Sequence, residues 1–250
     1  MKPNLSNSCR KPALIAVILI SCIFSFSPSS YSAEKEEILR YEVTWNGNKA
    51  GHGDITTRAN VGHVNVTVQA VSDGVLKSFC EIWSRIHCTF TADGFKPKSY
   101  NFALKSNVAR SENVGLLFDD KTGMVQVRKQ AGNENENHSE TVRGAYDPVT
   151  AVCLLRSQKD LSKPMFVDIY DGKDRARLYV DPVGTERIQV KAGVHPAVRL
   201  HLKLVKLGKE NEEIGKGELW ISDDSKRIPL LLTSSPIVGT IRFELIHAQL

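Results

Sequence analysis

Seven histidines, three cysteines beyond residue 33 and two Asp-Asp pairs are the side chains of this 250-residue sequence that could hold a metal, attack a carbon or pass a proton. The histidines are His52, His63, His87, His138, His195, His201 and His247. None forms the i, i+4 pair of a zinc protease helix, and no CxxC occurs. His87 and Cys88 are adjacent, but neighbours on a strand point to opposite faces and cannot readily share an ion. No Gly-x-Ser-x-Gly elbow is present. Cys153 could act as a thiol nucleophile with a distant histidine, yet Val149 and Val152 beside it read as the company of a buried packing cysteine. Asp119-Asp120 and Asp223-Asp224 lie in turn-like stretches, where carboxylates bond to local backbone N–H groups. As a glycosidase pair they would have to face one sugar. Gly215-Lys216-Gly217 is not a phosphate loop and precedes a strand. Trp83 and Trp220 offer faces that could stack on a sugar or lipid, against the simpler reading of cross-strand packing. These residues predict no catalytic group, no metal ligand and no cofactor.

The compartment is written at the N-terminus. Lys2, Arg10 and Lys11 precede an apolar run from Ala13 to Phe26, and small polar residues follow up to Ala33. That order predicts a secretory signal peptide over residues 1–33 and an exported domain over 34–250. Leu19-Ile20-Ser21-Cys22 also fits a lipobox, in which Cys22 would carry the lipid and begin the mature chain. Ile23-Phe24-Ser25-Phe26 continues the apolar run where a lipoprotein turns polar, so Cys22 reads first as a residue of the signal core. The run is about 14 residues, short of the ~20 a membrane-crossing helix needs. No later stretch comes close, which predicts an exported mature chain, soluble or lipid-anchored, without a transmembrane segment.

The formal charge of +5 overstates the mature surface. The first 33 residues hold three of the 33 basic residues and no acid, which leaves 30 basic against 28 acidic residues, or +2. Nothing in that balance favours nucleic acid. The thiols left are Cys80, Cys88 and Cys153. On one extended strand the first two would stand about 27 Å apart, and a disulfide needs Cα atoms within ~7 Å. Buried free thiols are the first reading, a bridge from Cys153 to one of the others the second.

The elements that must position these groups follow a two-residue rhythm. Leu39, Tyr41, Val43 and Trp45 alternate with Arg40, Glu42 and Thr44. Val64, Val66 and Val68, then Cys80 to Phe90, Ala176 to Val180, Val198 to Leu204 and Ile241 to Leu245 repeat the pattern. Each predicts a strand with one buried face. Asn46-Gly47, Asp93-Gly94, Gly123, Asp171-Gly172 and Asp223-Asp224 mark turns, so the strands join as antiparallel hairpins. The polar run Gly132 to Asn137 reads as a loop. Asp147 as N-cap and Pro148 at the first helical position open a central helix over about 147–157, closed by Arg156 against the helix dipole. A short helical turn is expected near 74–78. The chain is expected to be mainly β: one large, strongly curved antiparallel sheet, a half-barrel or incomplete barrel, with this helix covering its mouth or one face.

From Tyr41 to Leu245 the sequence resembles a family of exported bacterial proteins, the domain of unknown function 3108. Tyr41-Glu42-Val43-Thr44-Trp45-Asn46-Gly47 with Ala50-Gly51 is similar to that family's first hairpin. Tyr146-Asp147-Pro148-Val149-Thr150-Ala151 through Leu155-Arg156 is similar to its central helix start. Gly217 to Pro229 carries Trp220, Ser222, Asp223, Asp224, Arg227 and Pro229 in its Trp-x-Ser-Asp-Asp to Arg-x-Pro order, followed by Val238-Gly239-Thr240. Cys153 departs from the aromatic or aliphatic residue usual there. The resemblance implies a periplasmic or outer-envelope β protein and supplies no activity. Asp147, Pro148, Arg156, Trp220, Asp223, Asp224, Arg227, Pro229 and Gly239 are expected to shape the fold. The function expected is non-catalytic binding of a lipid, another apolar ligand or an envelope component on the concave face. A scaffolding module for an envelope complex is the alternative, and an unrecognised hydrolase the third reading.

Overall fold

The computed structural model describes residues 35–78, 80–208, 212–235 and 239–250. The signal peptide over 1–33 and the lipidation candidate Cys22 lie outside the described residues. Fourteen strands form one sheet. The first eight are β1 (Lys35–Trp45), β2 (Asn48–Asn60), β3 (His63–Ser72), β4 (Ile82–Thr91), β5 (Pro97–Ser106), β6 (Glu112–Asp119), β7 (Met124–Ala131) and β8 (Glu134–Thr141). The rest are β9 (Met165–Tyr170), β10 (Arg175–Val190), β11 (Gly193–Lys206), β12 (Glu212–Ser222), β13 (Pro229–Ser234) and β14 (Ile241–Gln249). A one-turn helix, α1 (Gly74–Lys77), joins β3 to β4, and α2 (Pro148–Arg156) lies between β8 and β9.

The first and last strands meet in the middle of the sheet. Its order is β8-β7-β6-β5-β4-β3-β2-β1-β14-β13-β12-β11-β10-β9. β1 pairs antiparallel with β14, Tyr41 opposite Leu245 and Val43 opposite Phe243. Two wings grow outward from that seam by hairpins, and their outer edges, β8 and β9, are joined by the segment that carries α2. Adjacent strands rotate by about 20–25°, so a sheet this wide must curl. It remains open among the described strands, with α2 packed against β4 and β9. The backbone before α2 partly covers the β9 edge: the Tyr146 N–H donates to the Asp168 carbonyl at 2.9 Å and the Tyr170 N–H to the Tyr146 carbonyl at 2.8 Å.

Alternation decides which face is inside. In β3 Val64, Val66 and Val68 are buried, and in β4 Ser84, Ile86, Cys88 and Phe90. Asn46 and Gly47 both have positive φ, 48° and 78°, the two-residue turn that matches the twist of a hairpin. The long β10–β11 hairpin has a bulge between Pro182 and Gly184, where a proline costs no ladder bond. Its tip reaches past short β13: the Ala192 N–H donates to the Leu245 carbonyl at 3.1 Å, and Lys191 Nζ lies 2.6 Å from a Glu42 carboxylate oxygen.

Two local expectations change. The run Gly132 to Asn137 is not a loop; the chain turns at Gly132 and enters β8 at Glu134. Backbone pairing with β7 holds this strand although nearly every side chain on it is exposed. Its charges and amides also keep the free edge from adding another chain. The strand expected from Cys80 starts instead at Ile82, behind a Glu81 N–H bonded to the Asn107 side chain at 2.8 Å.

Candidate functional site

The sequence motifs converge on the two ends of α2. At its start Asp147 is extended, with φ −66° and ψ 158°, and its Oδ1 accepts the Val149 and Thr150 N–H groups, each at 3.0 Å. Pro148 follows at the first helical position, where no N–H is required. The other Asp147 oxygen accepts the Thr150 hydroxyl. From β4 the Cys88 thiol reaches the same group, 3.3 Å from Asp147 Oδ1 and 3.2 Å from Thr150 Oγ1. All of α2 except Leu154 is buried, so the helix is a plug and not an amphipathic lid. It packs against β4 and β9.

At the other end Arg156 is fully buried, and Glu37 on β1 is 10% exposed at its side chain. The guanidinium donates to both Glu37 carboxylate oxygens, at 3.3 and 3.4 Å, to the Arg227 carbonyl at 2.8 Å and to the Lys226 carbonyl at 3.1 Å. Those carbonyls are presented by the turn between β12 and β13. Asp224 Oδ1 accepts the Lys226 and Arg227 N–H groups at 2.9 and 3.0 Å and the Ser222 hydroxyl at 2.9 Å. Ser222 Oγ in turn accepts the Ile228 N–H at 2.7 Å. Arg227 takes a left-handed φ of 48° to make the turn. Its side chain pairs with Asp223 at 2.9 Å. Asp224 thus holds the turn's backbone and Asp223 holds the Arg227 guanidinium. Pro229 enters through its carbonyl, which accepts the Tyr41 hydroxyl at 2.9 Å.

Asp147, Pro148, Arg156, Asp223, Asp224, Arg227 and Pro229 thus belong to one system linking helix, first strand and the β12–β13 turn. Trp220 stands apart. Its indole N–H donates to Glu186 at 2.6 Å, and the Arg199 guanidinium lies 5.2 Å from its ring. Gly239 also serves another junction. Its φ is +82°, and a Cβ there would come within 2.5 Å of Trp45 Nε1. The Asn46 N–H and Oδ1 bond Thr240 beside it, both at 2.9 Å. Sequence reading missed Glu37 as the partner of Arg156, and Cys88 and Thr150 as partners of Asp147. Glu37 had a signal: it falls in the inward register of Leu39 and Tyr41, a carboxylate on an apolar face.

Cys80, Cys88 and Cys153 are buried, and Cys88 and Cys153 are free thiols. Burial, then the nearby Asp147 carboxylate, pushes the Cys88 thiol well above its usual range. Burial does the same to Cys153, with Arg156 opposing. Neither is a thiolate nucleophile at neutral pH. Burial also raises Asp147, against the hydrogen bonds it accepts. Among the described residues no three His, Cys, Asp or Glu side chains gather where they could hold a metal ion.

The thiols make stability fall in alkali. Unfolded thiols ionise near pH 8.5, whereas the folded ones stay protonated beyond that. Above that pH the unfolded state binds fewer protons than the folded one, so stability drops as pH rises. The midpoint of thermal unfolding should be level near neutrality and decline above about pH 8.5. Cys88→Ala with Cys153→Ala should flatten that decline; a slope identical to wild type would remove the thiols as its cause. Burial likewise raises the Tyr41 hydroxyl, which extends the loss above about pH 10.

The fold recurs elsewhere. A crystal structure of a β-barrel-like protein of domain of unknown function DUF1849 from Brucella abortus superposes with a TM-score of 0.57 at 12% identity, covering 86% of this chain and 97% of that one. A candidate lipoprotein from Parabacteroides distasonis matches with a TM-score of 0.37 at 12% identity, over 91% of this chain and 99% of its own. A candidate exported protein with a YmcC-like fold from Bacteroides fragilis gives 0.32 at 13% identity, over 92% and 100%. Only the first of these likenesses is high enough to bear on the fold, and it bears on the fold alone. No curated protein sequence matches. The sequence of residues 40–246, which spans the seam, both wings and every motif around α2, matches the model of one family, and the chain belongs to it: the family described as protein of unknown function, DUF3108.

Proposed function

We propose that this chain is a non-catalytic protein of the bacterial envelope that works by holding an envelope component against the outside of its sheet. The order of charge, apolar run and small residues over 1–33 supports export. One observation carries the rest: the concave side is filled by the protein itself. Leu39, Ile55, Val68, Ile86, Leu116 and Val127 from one wing are each at most 2% exposed. Leu178, Leu202, Leu219, Leu232 and Leu245 from the other are equally buried, and so are Val149 and Leu155 of α2. Side chains buried this completely leave little open surface for an acyl chain. This burial favours a partner on the outer face over the apolar ligand expected on the concave one.

The buried ionisable groups support the same reading. Asp147, Glu37 and Arg156 are occupied with one another's elements, and bonds of that kind serve folding. The test is sedimentation of the processed protein, labelled at an exposed lysine, with washed envelopes. Saturable retention is expected. Retention that is absent, or that rises linearly with protein, contradicts the reading.

A further inference from the structure

The outer face carries one site whose lining has a definite chemistry. On β4 to β8 the register sets two polar rows across the strands. His87, Asn101, Gly115, Arg128 and Asn137 stand opposite one another in turn, and beside them Arg85, Ala103, Asn113, Gln130 and Asn135. Their neighbours Ile86, Phe102, Val114 and Val127 are buried, so both rows point outward. Gly115 and Ala103, the two smallest residues, form the floor of a trough of about 540 Å³ between taller side chains. That volume lies within the ~300–1,000 Å³ of ordinary ligand sites.

Three features define what it can hold. The lining contains no carboxylate, although β8 is rich in them. Glu134, Glu136 and Glu140 alternate onto the opposite face. The amides of Asn101, Asn113, Gln130 and Asn137 make no side-chain hydrogen bond within the described structure, so each offers a donor and an acceptor. The Nε of Arg85 is buried and has no hydrogen-bond partner among the described residues, so the guanidinium has to turn for that donor to meet a group from outside. Desolvation, then the Arg85 charge, lowers the His87 pKa; the cations of the lining are Arg85, Arg128 and Lys129, and Lys129 is already paired with Glu112 at 3.1 Å.

We propose that this trough binds an acidic oligosaccharide, a chain of sugars bearing carboxylates, laid across β4 to β8. The assignment rests on the reading that the protein works through its outer face, and it names the ligand. Carboxylates are received by the planar forks of Arg85 and Arg128. Sugar hydroxyls pair with the amides. Strands spaced about 4.8 Å apart present a polar side chain at each step, which suits an extended chain better than a single ion. Trp83 lies two residues before Arg85 on the same face, with Lys105 Nζ 5.4 Å from its ring, and gives one aromatic surface for a sugar. A single aromatic residue is a poor platform for the successive bases of a nucleic acid.

Titration calorimetry of the processed protein with hexagalacturonate, against neutral maltohexaose of the same length, tests the assignment. Hexagalacturonate should bind, added salt should weaken it, and maltohexaose should not bind. Arg128→Gln, an exposed change that leaves the core untouched, should weaken binding about ten-fold or more. Gly115→Leu should fill the trough and abolish binding; its fold is checked by its melting curve. No binding of the acidic hexamer, equal binding of the neutral one, or unchanged affinity in Arg128→Gln overturns the proposal. If hexagalacturonate fails while the wild-type protein still sediments saturably with envelopes, the trough assignment falls and the outer-face reading stands.

Discussion

Arg156→Ala should cost about 3–5 kcal/mol of folding free energy, the usual penalty for removing one partner of a buried ion pair. The substitution strands three acceptors at once. The Glu37 carboxylate loses its counter-charge, and the Lys226 and Arg227 carbonyls lose their donor. A domain of this kind is stable by only about 5–15 kcal/mol, so the variant should unfold at markedly lower urea. Glu37→Gln combined with Arg156→Met separates the terms. It removes the charge along with its partner, and apolar replacements of buried pairs are often neutral or better. The two carbonyls lose their donor at part-buried sites, at about 0.5–1.5 kcal/mol each. The double variant should therefore fall between wild type and Arg156→Ala. Equal loss in the two would show that the ion pair itself contributes nothing.

Asp147→Ala is the second large effect, expected at about 2–4 kcal/mol. Loss of a helix N-cap accounts for about 0.5–2 kcal/mol of it. The Thr150 hydroxyl and the Cys88 thiol, both buried, then lack their acceptor, which adds about 1–3 kcal/mol. Asp147→Asn distinguishes cap from charge. Asparagine caps as well as aspartate, but its Nδ2 cannot accept the Thr150 hydroxyl, so its loss should be smaller than that of alanine. Burial raises the Asp147 pKa, which means the ionised carboxylate is held at some cost; an asparagine as damaging as alanine would contradict the capping account. Urea unfolding followed by tryptophan fluorescence reads both series.

The strands were legible where one face is apolar and the other wet. Val64, Val66 and Val68 announce β3 by alternation alone, and Asp147-Pro148 announces α2 because a cap and a proline have one sensible place in a helix. β8 was illegible for the same reason. An edge strand exposed on both faces carries no apolar period, and its backbone pairing with β7 leaves no mark in its side chains. The Glu37–Arg156 bond joins residues 119 apart in sequence, and no local pattern reports such a pair. The Asp223-Asp224 turn was recognised, but the partner of each carboxylate depended on the left-handed Arg227 backbone, which only the folded turn reveals. Curvature followed from strand number and twist. What occupied the hollow did not, because a buried helix and a ligand-lined cavity ask for the same inward-facing Leu and Val. The outer trough was hidden in the residues least suggestive of function, an alanine and a glycine whose effect depends on what stands opposite them in register.

Native mass spectrometry of the processed protein, released gently from its envelope, bears most directly on the claim that the hollow is self-filled. The account predicts the mass of the polypeptide with no lipid retained in its interior after any N-terminal acyl group is counted. A stoichiometric non-covalent lipid that leaves only on unfolding would contradict it.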